Sequence, residues 1–264
     1  ESFGRDFRAD SGFVPQGDYR QGSANLFRTW WGEPDDWFSE IQLGGGWDYS
    51  EDQDGRLIEN EQEVAAFVGG PLQSHLETLV GHRTRRFDGV TFDQTYAALW
   101  ANVRPSGALE LELGVDVGDR LDVANTRNGT VLGLEPEITW RVGRHLNLSL
   151  SYEHEQLDVD GGRLYTARLA QLRAVWQFSL RTFLRVITQH ADVDRDPARY
   201  RDPVAAHEEE LFNQVLLSYK LNPQTVVFLG YSDAAVGFDG ELGRVDLTTA
   251  ARTVFVKLGY AWLP

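Results

Sequence analysis

Residues 107–119 read GALELELGVDVGD and alternate with a period of two. Leu109, Leu111, Leu113, Val115 and Val117 share one parity; Glu110, Glu112 and Asp116 take the other. Successive side chains of a strand point to opposite faces, so the stretch predicts a strand with one apolar and one polar face. Similar alternation recurs every ~18–20 residues, with turn signals between the runs. It predicts strands at 24–31, 37–49, 59–68, 72–86, 90–104, 108–119, 130–142, 146–157, 163–178, 181–191, 208–221, 225–233 and 249–262. Many runs exceed the roughly 5–6 residues usual for soluble strands and reach the ~9–11 that a tilted membrane strand needs. No segment has a helical period.

The alternation leaves the facing open. In a soluble sandwich the leucines are inside; in a membrane barrel they meet lipid and the acids line the lumen. The connections favour the barrel. GEPDD (32–36), GGP (69–71), PSG (105–107), GRH (143–145), SL (179–180) and NPQ (222–224) are short. They alternate with SEDQDGRL (50–57), FDG (87–89), RLDVANTRNG (120–129), DVDGG (158–162), 192–207 and 234–248, most of them longer and acidic. Outer-membrane barrels pair tight periplasmic turns with longer outer loops. With that orientation, Trp30, Trp31, Trp37, Trp100, Trp140, Trp176, Tyr219, Tyr260 and Trp262 fall at periplasmic strand ends and form an expected membrane girdle. Trp47 lies at the opposite end beside Tyr49.

Strand parity requires one more ascending strand before 24–31, and ESFGRDF (1–7) is the candidate, with 8–23 as an outer loop. The expected fold is therefore all-β: an antiparallel transmembrane β-barrel of about 14 strands, read as one domain over 1–264. It is either a complete barrel or the C-terminal part of a larger one. The expected location is the bacterial outer membrane, with outer-membrane lipid as a partner.

Composition narrows the function. The formal net charge is −15, which argues against nucleic acid, since phosphate binding needs a basic surface. Cysteine is absent, so disulfides and thiolate metal sites are excluded. No apolar stretch reaches the ~18 residues of a transmembrane helix.

Near the end, KLGYAWLP places Lys257, Gly259, Tyr260 and Trp262 in a polar-x-Gly-aromatic-x-aromatic pattern. It resembles the terminal-strand signal read by the outer-membrane assembly machinery, with Leu263 and Pro264 as two extra residues. The resemblance implies that machinery as a partner. FRADSGFVPQGDYR (7–20), RTFLRVITQH (181–190), LLSYKLNPQTVVFLGYSD (216–233) and RTVFVKLGYAW (252–262) resemble the C-terminal barrel of the bacterial carbohydrate-binding family 9 domain-containing proteins. In that family a soluble sugar-binding-like domain precedes a barrel of unknown function. The resemblance implies missing upstream strands and supplies no catalytic residue.

If the apolar parity faces lipid, the acidic lumen lining is Glu40, Asp48, Glu61, Glu63, Glu110, Glu112, Asp116, Glu135, Glu137, Glu153 and Glu155. The basic lining is Arg173, Arg181, Arg185, Lys220 and Lys257. Signs separated around a wall would orient and filter polar solutes; signs paired with neighbours would plug it. DQDG (52–55), DVDGG (158–162) and DVDRD (192–196) could hold calcium, but none has the full ligand spacing, and Asp-Gly pairs are what hairpin turns demand. No cofactor or metal is expected.

Catalysis has little support. His75 and His82 lie on opposite parities, His154 points away from Glu153 and Glu155, and neither G-x-S-x-G nor H-E-x-x-H occurs. The leading expectation is a pore or transport channel for small polar solutes. The alternative is a structural barrel that anchors a soluble sugar-binding domain or joins a larger envelope assembly with other envelope proteins. A membrane-embedded hydrolase is the least supported reading.

Overall fold

A computed structural model describes residues 2–4, 17–222, 224–238 and 247–261. Fourteen strands form one antiparallel sheet in chain order. They are β1 Ser2–Phe3, β2 Tyr19–Trp31, β3 Glu40–Glu51, β4 Leu57–Gly70, β5 Ser74–Phe87, β6 Val90–Ser106 and β7 Leu109–Asp122. The second seven are β8 Arg127–Val142, β9 Leu146–Val159, β10 Gly162–Ser179, β11 Thr182–Arg195, β12 His207–Asn222, β13 Thr225–Phe238 and β14 Thr248–Tyr260. The other secondary element among the described residues is a 3-10 turn at Pro197–Arg199, where the Asp196 carboxylate accepts the Ala198 N–H.

The expected all-β antiparallel fold with fourteen strands is therefore present. Period-two patterning located the strands because each buries one face differently from the other. Of the strand expected over 1–7, Ser2–Phe3 pairs with Tyr19–Arg20, while 1 and 5–7 lie outside the described residues.

The strands also overrun the expected loops. The segment 120–129 was expected as a loop, yet β7 runs to Asp122 and β8 starts at Arg127. Likewise 158–162 contracts to a turn at 160–161, where Gly161 and Gly162 take φ of +94° and +127°. The Asp88–Gly89 turn has φ of +48° and +78°, the left-handed pair that a two-residue hairpin requires. The marked length asymmetry read from the sequence thus shrinks. On the side expected to be outer, the fully described connections 52–56, 88–89, 123–126 and 160–161 have two to five residues, and 196–206 remains long.

What replaces it is an asymmetry along the strands. Two compact units can be distinguished: Glu1–Ala101 with Val115–Leu132, and Asn102–Gly114 with Gly133–Pro264. In the first unit, one face of β4 and β5 carries Val64, Ala66 and Val68 opposite Val80, Thr78 and Leu76 toward the short turns. Further along, the same face carries Asn60 and Gln62 opposite Thr84 and His82. In the second unit, Leu172 and Ala174 of β10 share a face with Arg168, which meets Asp192 and Asp194 of β11. The apolar band thus covers the short-turn half, and beyond it this face turns polar. Of the buried apolar side chains, Phe92, Leu121, Val131, Leu157, Val159 and Leu164 lie in this far half, and Leu216 lies nearer the short turns.

Candidate functional site: the polar face of the sheet

The apolar band is the exposed one. Val64 and Val80 are 60% and 57% exposed, and Val254 and Val256 both 71%. On the opposite face, the Glu61 and Arg83 side chains are 20% and 25% exposed. A protein in water buries leucine and valine and exposes its charges; this sheet reverses that order.

In the first unit the polar face carries Glu40 and Asp48 of β3, which sit opposite Gly69 and Glu61 of β4. Glu61 and Glu63 share one phenol: the Tyr96 hydroxyl lies 2.5 Å from Glu61 Oε1 and 2.7 Å from Glu63 Oε1. A single O–H can donate to one of them at a time. Arg83 lies over the Tyr96 ring, 5.2 Å from its centroid, as a cation favours. Its Nη1 reaches Glu61 at 3.4 Å, while Arg85 and Arg83 both approach Glu59. Tyr96 fits because its ring covers Gly81, where a Cβ would collide with it; Phe27 covers Gly44 in the same way. Asp116 of β7 pairs with Arg120 at 2.7 Å.

The expected grouping of basic residues on later strands is thus incomplete. Arg83 and Arg85 stand among acids on an early strand, and their alternation with Thr84 was legible in the sequence. Toward the far end of this unit, Tyr19, Ser50, Glu59, Arg85 and Phe87 help line a cavity of about 650 Å³.

In the second unit, Glu110 receives Asn102 Nδ2 at 3.0 Å and Arg104 Nε at 2.7 Å. Glu112 shares its parity. Glu135 lies beside Gly114, and Glu137 accepts the Ser149 hydroxyl at 2.6 Å. Glu153 and Glu155 pair across the sheet with Leu169 and Ala167, and the Tyr165 hydroxyl donates to Glu155. On the same face, Arg173 sits opposite Ser149 and Ile187. Arg185 donates to Gln214 at 2.9 Å. Lys220 and Lys257 pair with Val226 and Phe228. Arg173, Glu137, Thr139, Asn147, Ser149 and Val175 surround a cavity of about 90 Å³. Among the described residues, no hydrogen bond or ion pair holds the side chains of Arg173, Lys220 or Lys257.

Three placements differ from expectation. Arg181 sits exposed in the turn at 180–181, where its carbonyl accepts the Lys220 N–H, because the strand starts one residue later. Trp31 is opposite Glu40 and so stands on the polar face, whereas Trp30 is opposite Ile41 on the apolar one. Adjacent residues of a strand cannot share a face, so the Trp-Trp pair itself contained this signal. Trp100 shares the polar parity of Tyr96 and Asn102, and its ring lies 4.4 Å from that of His75. Trp140, Trp176, Tyr219 and Tyr260 stand on the exposed apolar face near the short turns, and Trp37 projects from the turn at 32–39. Trp262 lies outside the described residues.

The aspartate motifs resolve into separate roles. Asp52 Oδ1 accepts the N–H groups of Asp54 and Arg56, which is turn chemistry. Asp158 pairs with Arg163. Asp192, Asp194 and His207 bring three potential ligand atoms within 4.8 Å of one another, but Arg168 already contacts both carboxylates at 3.0 Å.

No protein-family model matches the sequence, and no curated protein does either. Among solved structures, the chain is similar to in-vitro folded OmpT, an outer membrane protein of Vibrio cholerae: 12% identity over 92% of this chain and 96% of that one, TM-score 0.43. The trimer form of that protein gives 12% identity, 92% and 98% coverage and a TM-score of 0.45. The NanC porin gives 12% identity, 77% and 94% coverage and a TM-score of 0.36. Likenesses of this degree carry no argument about activity.

Proposed function

We propose that this chain is an outer-membrane β-barrel whose polar face lines a water-filled path for small polar solutes. The reversed exposure carries the reading: an antiparallel sheet with its valines and leucines outermost and its carboxylates and guanidinium groups more enclosed suits a hydrocarbon solvent. Trp30, Trp140, Trp176, Tyr219 and Tyr260 on the apolar face near the short turns fit an interfacial girdle. The polar halves of the strands then project beyond the bilayer.

In the second unit, acids on β7–β9 and the unpartnered Arg173, Lys220 and Lys257 on β10–β14 would set a field across the path. The tied set Glu59, Glu61, Arg83, Arg85 and Tyr96 favours a second reading, a plugged barrel that anchors another envelope component. Current through a planar bilayer decides between them. Stable conductance from the refolded protein supports the path; silence from a correctly folded sample supports the anchor.

A further inference from the structure

The short-turn half of the polar face on β2–β6 gathers aromatic rings and carboxylates. One row across the sheet runs from Trp31 to Glu40, then Gly69, then His75. Phe67 and Glu77 form the neighbouring cross-strand pair. The Phe67 and His75 rings lie 6.0 Å apart, and the His75 and Trp100 rings 4.4 Å apart. Gly69 brings no side chain of its own, and the Ser39 hydroxyl and the Phe67 ring stand over it.

Two features make the set unlike ordinary packing. Trp31 and Trp100 remain 73% and 38% exposed although they share a face with carboxylates. Among the described residues, no hydrogen bond or ion pair engages the side chains of Glu40 or Glu77. No Lys or Arg of β2–β5 stands on this half of the face; Arg83 and Arg85 lie farther along and face Glu59 and Glu61. Arg104 of β6 shares the parity of Trp100 but is held by Glu110, so among the described residues no cation engages Glu40 or Glu77 beside these rings.

Ring faces attract cations through their quadrupole, with tryptophan the strongest. Carboxylates without partners add charge attraction and repel anions. A neutral polyol could stack on the rings but would gain nothing from the charge. We propose that Trp31, Glu40, Phe67, His75, Glu77 and Trp100 form a binding station for small organic ammonium cations with an apolar body. The station rests on the reading of this face as water-filled.

The chain has no cysteine, so one introduced thiol reports cleanly. Gln42 sits opposite Phe67, within the station's half of the face. Gln42→Cys, folded in detergent and checked by circular dichroism, is treated with a small neutral methanethiosulfonate in the presence of choline or of glucose. The thiol is expected to react, choline to slow the reaction saturably, and glucose at equal concentration to leave it unchanged. Adding Trp100→Ala or Glu77→Gln should raise the choline needed for half-protection by about tenfold. A reactive thiol that choline does not protect, that glucose protects equally, or whose protection survives both substitutions overturns the station while leaving the water-filled path intact. A folded variant whose thiol resists the aqueous reagent overturns the path and the station together.

Discussion

One face of β10 changes character within four residues. Leu172 is 46% exposed and lies in the apolar band; Arg168, two repeats of the pleat farther on, forms ion pairs with Asp192 and Asp194. The same shift occurs on β4 in the other unit, between Val64 and Gln62. Neither strand bends its parity to do this. Strand geometry is continuous across the boundary while side-chain chemistry is not, which is what two different solvents on its two sides would select. On the proposed reading, this contrast marks the edge of the hydrocarbon more directly than loop length does.

The largest test places the same charge on both sides of that edge. Leu113→Arg, in the middle of the apolar run of β7, should lose ~2–4 kcal/mol of unfolding free energy in lipid vesicles. Gln62→Arg, on the exposed face of β4 beyond the band, should stay within about 0.5 kcal/mol of the parent. Guanidinium unfolding followed by tryptophan fluorescence measures both. Equal losses would erase the contrast between the two halves.

A smaller effect separates the two faces within one strand. Gly81 of β5 has the Tyr96 ring where a Cβ would stand. Gly81→Val should therefore cost about 1–3 kcal/mol through overpacking. His82→Val, on the opposite face beside Thr95, should cost less, since only a hydrogen bond of 3.2 Å is lost. If Gly81→Val is neutral, Tyr96 is free to leave, and the polar face is looser than its hydrogen bonds indicate.

The smallest expected change concerns the polar half alone. Arg168→Ala removes two ion pairs between partly exposed groups, so the loss should stay under about 1 kcal/mol. Adding salt should shrink it further, because exposed pairs are screened. A loss that is large and insensitive to salt would mean that this half is shielded from water, and would dissolve the contrast that Arg168 and Leu172 define.

Much of the local structure was legible in the chain. Leu109 to Val117 could be assigned to a strand and to one parity because a strand's period is two and leaves no third option. Trp31 was legible too, since it must oppose Trp30, and Trp100 follows the parity of Tyr96 and Asn102 rather than that of Leu99 and Val103. Those two were misplaced because a tryptophan near a strand end was read by its height in the sheet instead of by its face. The loop lengths were overestimated for a different reason. Polar residues such as Asp158 and Arg127 look like loop, yet extend strands when neighbouring strands satisfy their backbone groups.

Cross-strand chemistry lay beyond a linear reading. Tyr96 meets Glu61 and Glu63 across 35 and 33 residues of sequence, and Glu40 lies beside both Trp31 and Gly69 only once register is set. By itself the sequence determined that this chain forms long two-faced strands, how many there are, and which side chains share a parity, because those properties belong to one strand at a time. The tertiary structure alone decided which acids find a cation, which remain open, and which of the two faces is the exposed one. Each of these depends on a neighbour supplied by another strand, and alternation is silent about its neighbours.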